Sequence, residues 1–366
     1  MNRGRRAATL ALTLALTGGA LAAEPRPAAP RTDVPSFRDM MTLPTPGSGP
    51  APQPAAKPQP APEAPPDPRA DLAYGAYQRG LYIEAFNLAK ARAEGPRLNA
   101  PAMTLLGELH AKGQGVPRDM KAAVGWYERA SDLGDRQAML ELGLLKLRGE
   151  DGVERDPKGA VELFQAAGEL NQPAALYNLA LLKLQGEVTP EDAKSAAADM
   201  RAAAKLGEPD AQYAYAVLLK EGRGVEADLD QSVAWLARAA AQDQPAALVE
   251  YGIAVFNGKG IPKDEDEAAR LFRRAADRGN AIGQNRLARL YAHGRGVARD
   301  PVRAAAWHRM AAAQGLVDTW LEGYVQTLSD ADRKAADALY ATWSTGFGPE
   351  FAAAPAAPSP QAAGKP

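Results

Sequence analysis

The sequence contains no cysteine among its 366 residues. Thiol nucleophiles, thiolate zinc sites, iron–sulfur clusters and disulfide frameworks are therefore excluded. Histidine is almost as scarce, limited to His110, His293 and His308. A histidine-based metal centre or catalytic triad has little material to draw on, and these three read as packing or solvent-facing side chains. An excess of one charge is missing too. Lys and Arg number 43 and Asp and Glu 44, a net charge of −1. No global basic excess points to nucleic acid or to an anionic membrane surface. No cofactor motif is present. This composition favours a binding or scaffold protein over polar-residue catalysis.

The two ends differ from the middle. Arg3, Arg5 and Arg6 precede an apolar stretch over 7–16, too short for a bilayer span of about 20 residues. Ala20-Leu21-Ala22 then supplies a small-x-small site. Residues 1–22 read as a secretory signal peptide cut after Ala22, with an uncleaved anchor as the competing reading. The mature chain is then expected in the periplasm or secreted, without an integral membrane span. Residues 23–68 hold half of the chain's 30 prolines, which favours extended conformers and no packed core. One island at 34–43, with Phe37, Met40 and Met41, reads either as part of a spacer or as a docking segment. The Ala/Pro-rich tail over 349–366 is expected to be disordered.

Between the ends the sequence repeats. Asp119, Asp156, Asp192, Asp228, Asp264 and Asp300 are spaced by 37, 36, 36, 36 and 36 residues. Four residues after each stands Ala or Ser. Seven after stands Trp126, Leu163, Trp235, Leu271 or Trp307, with Asp199 the exception. Eleven after stands Ala130, Ala167, Ala203, Ala239, Ala275 or Ala311. Spacings of four, seven and eleven trace one face of a helix. Each Asp is expected to be an N-cap, with Glu267 completing a capping box on Asp264. Gly134, Gly207, Gly279 and Gly315, with Asn171 and Asp243 in the other two copies, suit the left-handed helix end. Six equivalent carboxylates at a capping position read as structural and not catalytic.

A first helix precedes each Asp, starting near Ala102, Ala138, Ala175, Ala211, Ala247 and Gly283. It ends in Gly-x-Gly-Val at 113–116, 222–225 and 294–297, with altered versions in the other copies. No strand precedes these glycines, so a phosphate-binding loop is not indicated. Each pair leaves apolar surface that only its neighbour can bury. The expected fold is an all-α, right-handed α-solenoid of six helix–turn–helix repeats over 101–318. An N-terminal hairpin over 69–100 and a C-terminal capping helix over 319–348, with Ser329 or Asp330 as its N-cap, close the stack.

The six units resemble Sel-one-like repeats, relatives of tetratricopeptide repeats. The unit 102–134 carries the pattern as Leu106-Gly107, Gly113-Gln114-Gly115-Val116, Asp119, Trp126-Tyr127, Ala130 and Gly134. The unit 175–207 departs most, losing a turn glycine and the second-helix aromatic. The resemblance implies a non-enzymatic adaptor for protein or peptide ligands. It also implies a groove on the first-helix face at positions two, six and nine after the first alanine. Those positions bring forward Leu140, Leu144, Tyr177, Leu181, Tyr213, Val217, Val249, Ile253 and Phe256. This second apolar stripe is either a peptide groove, a surface buried by tight winding, or a homodimer interface. The expected function is an exported scaffold binding protein partners in the cell envelope. The alternative is a protein that binds or processes cell-wall glycan.

Overall fold

The computed structural model describes residues 71–345, apart from 150–151, 187 and 190–191. The expected signal peptide, the proline-rich segment with its apolar island, and the tail lie outside the described residues. Sixteen helices and no strand occur among the described ones. Helices α1 (Leu72–Gln78) and α2 (Tyr82–Ala93) form a short hairpin. Six pairs follow: α3 (Ala100–Lys112) with α4 (Met120–Asp132), α5 (Arg136–Arg148) with α6 (Pro157–Glu169), α7 (Pro173–Gln185) with α8 (Ala193–Lys205), α9 (Pro209–Glu221) with α10 (Leu229–Ala241), α11 (Pro245–Asn257) with α12 (Glu265–Asp277), and α13 (Ala281–His293) with α14 (Pro301–Ala313). The segment expected as one capping helix contains two, α15 (Thr319–Gln326) and α16 (Asp330–Thr345). Helices of the six pairs pack chiefly on their chain neighbours, and α16 packs on α14. This is an all-α solenoid.

All six aspartates cap second helices. Each carboxylate accepts from the backbone N–H three residues on. Their own N–H groups close the inter-helix turn, donating to the carbonyls of His110, Lys146, Lys183, Leu219, Val255 and Tyr291. The capping box on Asp264 is therefore only half formed. The Asp264 N–H already has Val255 as its acceptor, and the Glu267 carboxylate turns to Arg270 at 2.7 Å. The same closure holds the irregular turns of the second and third pairs at their ends. We expect Asp264→Ala to lower stability by about 1 kcal/mol, an ordinary loss for an N-cap. Urea denaturation of that variant checks the helix start.

First helices begin two residues before the expected positions. Asn99, Asp135, Gln244 and Asn280 cap four of them, accepting from the N–H groups of Ala102, Ala138, Ala247 and Gly283, whereas Gln172 and Glu208 make no such bond. Those small residues thus sit inside the first turn. Every first helix of the six pairs ends on a left-handed glycine.

The core contains a position that the spacing argument passed over. Eight residues after each capping Asp stand Tyr127, Phe164, Met200, Leu236, Phe272 and His308, all buried. The ring at this position lies over the small residue of its own first helix. A Cβ on Gly107 would come within 2.6 Å of Tyr127, one on Gly143 within 2.6 Å of Phe164, and one on Gly252 within 2.8 Å of Phe272. Where the first helix carries Ala180, Ala216 or Ala288 instead, the partner position holds Met200, Leu236 or His308. Glycine goes with a six-membered ring, and alanine with a different shape. The exception at Asp199 then has a physical account. Met200 fills the core slot of that pair, and Asp199 is only half-buried. Lys183 Nζ reaches both Asp199, at 2.5 Å, and Ser195 Oγ, at 2.8 Å, so the carboxylate is paired where its counterparts are apolar.

Candidate functional site

The candidate surface is the face of the first helices turned away from their second helices. Positions two, six and nine lie roughly opposite the core-facing alanine at about 100° per residue. Packing covers much of it. Leu140, Leu181, Val217 and Val249 are buried. Leu144, Tyr177, Tyr213, Ile253 and Phe256 are half-buried. None of the nine is an exposed side chain.

Polar bridges run along the same face. The Tyr213 hydroxyl donates to Glu250 Oε1 at 2.9 Å, and Lys220 Nζ lies 3.1 Å from Glu250 Oε2. These bonds tie α9 to α11. Near the N-terminal end the Tyr77 hydroxyl donates to Glu108 at 2.8 Å, and Lys112 reaches the same carboxylate at 2.6 Å. Burial, with Asp210 and Glu208 nearby, pushes the Tyr177 hydroxyl up to about 12. Burial also raises Glu141, whose carboxylate accepts from Gln137 at 2.8 Å. At the other end the Arg295 guanidinium stacks 4.3 Å over Phe256 and pairs with Glu265.

At the C-terminal end the matching positions of α13 are Asn285 and Ala292, both buried, and Arg289, half-buried. Helix α15 follows the sixth pair, and Asp318 is its N-cap. The Asp318 carboxylate takes a two-point contact from Arg289, with both distances at 2.8 Å, and accepts from Asn285 at 2.7 Å. Burial alone would raise this acid. The bonds from Arg289, Asn285 and the Leu321 N–H outweigh it and hold Asp318 at about 2. Trp320 stacks on His293 at 4.6 Å and on Tyr324 at 5.5 Å, and Arg289 lies 5.1 Å from its ring centre. Ile282 and Trp320 are exposed by 46% and 39%. Sequence reasoning missed Trp320 and read His293 only as a packing or solvent-facing side chain. Extending the capping register one unit beyond Asn280, to Asp318, would have found this end.

Two groups here titrate against folding. Burial lowers His308 from 6.5, so the folded chain prefers its neutral form. Stability should fall as pH drops below 6.5, because the unfolded chain then binds the proton first. Asp318 is depressed from 3.8. Its contribution is present above that value and is lost as pH falls toward 2. Asp318→Asn should shrink the lower step, to which Glu265, Asp156 and Asp228 also contribute, and keep the upper one. Urea midpoints measured against pH for both proteins check this.

Six segments of the chain, 100–135, 136–172, 173–208, 209–244, 245–280 and 281–316, match the Sel1 repeat. The chain belongs to the Sel1 repeat family. Among solved structures it is similar to a Sel1 repeat protein from Oxalobacter formigenes, at 32% identity over 70% of this chain and 76% of that one, with a TM-score of 0.58. It is also similar to c5321, a protective antigen of uropathogenic Escherichia coli strains with an SLR fold. That match has 25% identity over 78% of this chain and 69% of the other, with a TM-score of 0.50. No curated protein matches. The Sel1-repeat scaffold is a fold that typically mediates protein–protein interaction. Among the described residues there is no group of three or more His, Asp or Glu placed to hold a metal. No helix among them is long and apolar enough to cross a membrane.

Proposed function

We propose that the protein is an exported, non-enzymatic scaffold of the cell envelope that binds protein or peptide partners along the first-helix face of its Sel1 repeats. One observation carries this reading. Six successive first helices, from α3 to α13, contribute to one face, and half-buried side chains from separate repeats are joined there by the Tyr213–Glu250 bond. A surface built from several repeats suits an extended polypeptide. The basic start, short apolar run and Ala20-Leu21-Ala22 support export. The scattered carboxylates support the non-enzymatic part, because the six regularly spaced ones are used as caps.

Affinity enrichment from envelope extract, with identification of the bound species, tests the reading. Polypeptides retained by the full mature chain are the expected result. Retention of glycan strands alone would overturn it. Cell fractionation with N-terminal sequencing of the recovered protein tests export, and a chain beginning after Ala22 is expected.

A further inference from the structure

One second-helix core position in the stack changes its charge near neutral pH. Eight residues after the capping Asp, the first five pairs carry Tyr127, Phe164, Met200, Leu236 and Phe272, whereas the sixth carries His308. His308 is 6% exposed. Its Nδ1 is buried and has no hydrogen-bond partner among the described residues. An imidazolium carries an N–H on both ring nitrogens, so charging this ring in place leaves a buried donor unsatisfied.

The groups around the ring do not supply an acceptor. Burial lowers His308, against the pull of Asp318 and Glu322 on α15, and Arg309 of its own helix adds to the lowering. Asp318 is already engaged by Arg289 and Asn285 of α13. Arg309 is paired with Asp337 of α16. From α12, Arg273 lies over the neighbouring Trp307 ring. His308 also stands where the regular repeats end. Helices α15 and α16 pack chiefly on α14, the helix that carries the imidazole, and Trp343 of α16 lies 4.5 Å from Trp307. Units held from one side open more readily than those stacked on both.

We propose that the α15–α16 cap is a proton-operated end of the solenoid: charging His308 releases the cap from α14 while the preceding repeats stay folded. Opening admits water to Nδ1, so the open form takes up the proton that the closed form resists. Release also uncovers the Trp307 ring. The device is independent of the scaffold reading above.

Hydrogen exchange of the full chain at pH 7.5 and 5.5, corrected for the intrinsic pH dependence of exchange, tests it. Opening of α15 and α16 should rise by about threefold or more at the lower pH, with α3 to α10 unchanged. His308→Leu reproduces the combination of Leu236 with Ala216 in the fourth pair, since Ala288 is already present, and should abolish the rise. His293→Gln removes the exposed imidazole that stacks on Trp320 and should keep it. A rise spread equally over all repeats, one that survives His308→Leu, or one that His293→Gln abolishes would overturn the proposal. The parent chain supplies a readout that needs no variant. By NMR the His308 ring should titrate below 6.5 while the cap is closed. A ring that charges at 6.5 or above with α15 and α16 still protected would overturn the proposal.

Discussion

Ala275→Leu should destabilise the solenoid by about 3 kcal/mol, toward the upper end for overpacking a close-packed core. Ala275 is fully buried in α12, where the next helix comes close. A Cβ added to Gly283 of α13 would lie 2.7 Å from the Ala275 side chain. Three further heavy atoms on Ala275 have no space to enter without moving one helix off the other. The corresponding Ala239→Leu, at a site equally closed to solvent, should behave in the same way. Urea denaturation followed by circular dichroism measures both. Melting like the parent chain would place these alanines outside the helix contact. Because each repeat is supported only by its neighbours, the loss should be concentrated in the adjoining repeats, which hydrogen exchange can resolve.

Gly296→Ala should cost about 3 kcal/mol, through two separable effects. Gly296 has φ of 64°, and an L side chain in that region costs roughly 1–2 kcal/mol. A Cβ there would also lie 2.0 Å from the Glu265 carbonyl oxygen at the start of α12. Nothing but a backbone shift between two repeats relieves that overlap. Gly279→Ala provides the comparison. Its φ is 78°, but a Cβ added there meets nothing within 4 Å. It should lose only the conformational part, about 1 kcal/mol. Similar midpoints for the two variants would mean that the Gly296 turn is not pressed against the preceding repeat. The second glycine of the Gly-x-Gly turn is therefore a stacking device at this position: it lets one repeat's turn approach the previous repeat's second helix.

The repeat, its caps and its small-residue positions were legible in the sequence because they are local. An N-cap bond spans three residues and a helical face spans eleven, so Asp119 or Ala130 declares its role within its own segment. The same reasoning chose Trp126 and Leu163 as second-helix core residues, whereas the structure buries Tyr127 and Phe164 more deeply. Adjacent positions on a helix differ by only about 100°. Which of them points inward depends on the approach angle of the first helix, and Gly107 and Gly143 set that approach by accepting a ring. Asp199 shows the same limit. In sequence it breaks the apolar pattern, and only the position of Lys183 across the helix pair accounts for it.

For the candidate surface the division is sharper. Helical periodicity in the sequence determined that the first helices carry a second apolar stripe and which residues compose it. Tertiary structure alone decided how much of it is covered, with Leu181 and Val217 buried and Tyr213 tied to the next first helix. It also decided that Trp320 stacks on His293 and Tyr324 beside the Arg289–Asp318 pair. The physical reason is range. Periodicity is a property of one helix, whereas exposure on a solenoid face is set by how closely the neighbouring helix lies and by whether another helix follows. At the centre each first helix has one on either side. Beyond α13 the eight-residue α15 follows, and its Asp318 carboxylate covers Asn285 and Arg289 of the same face.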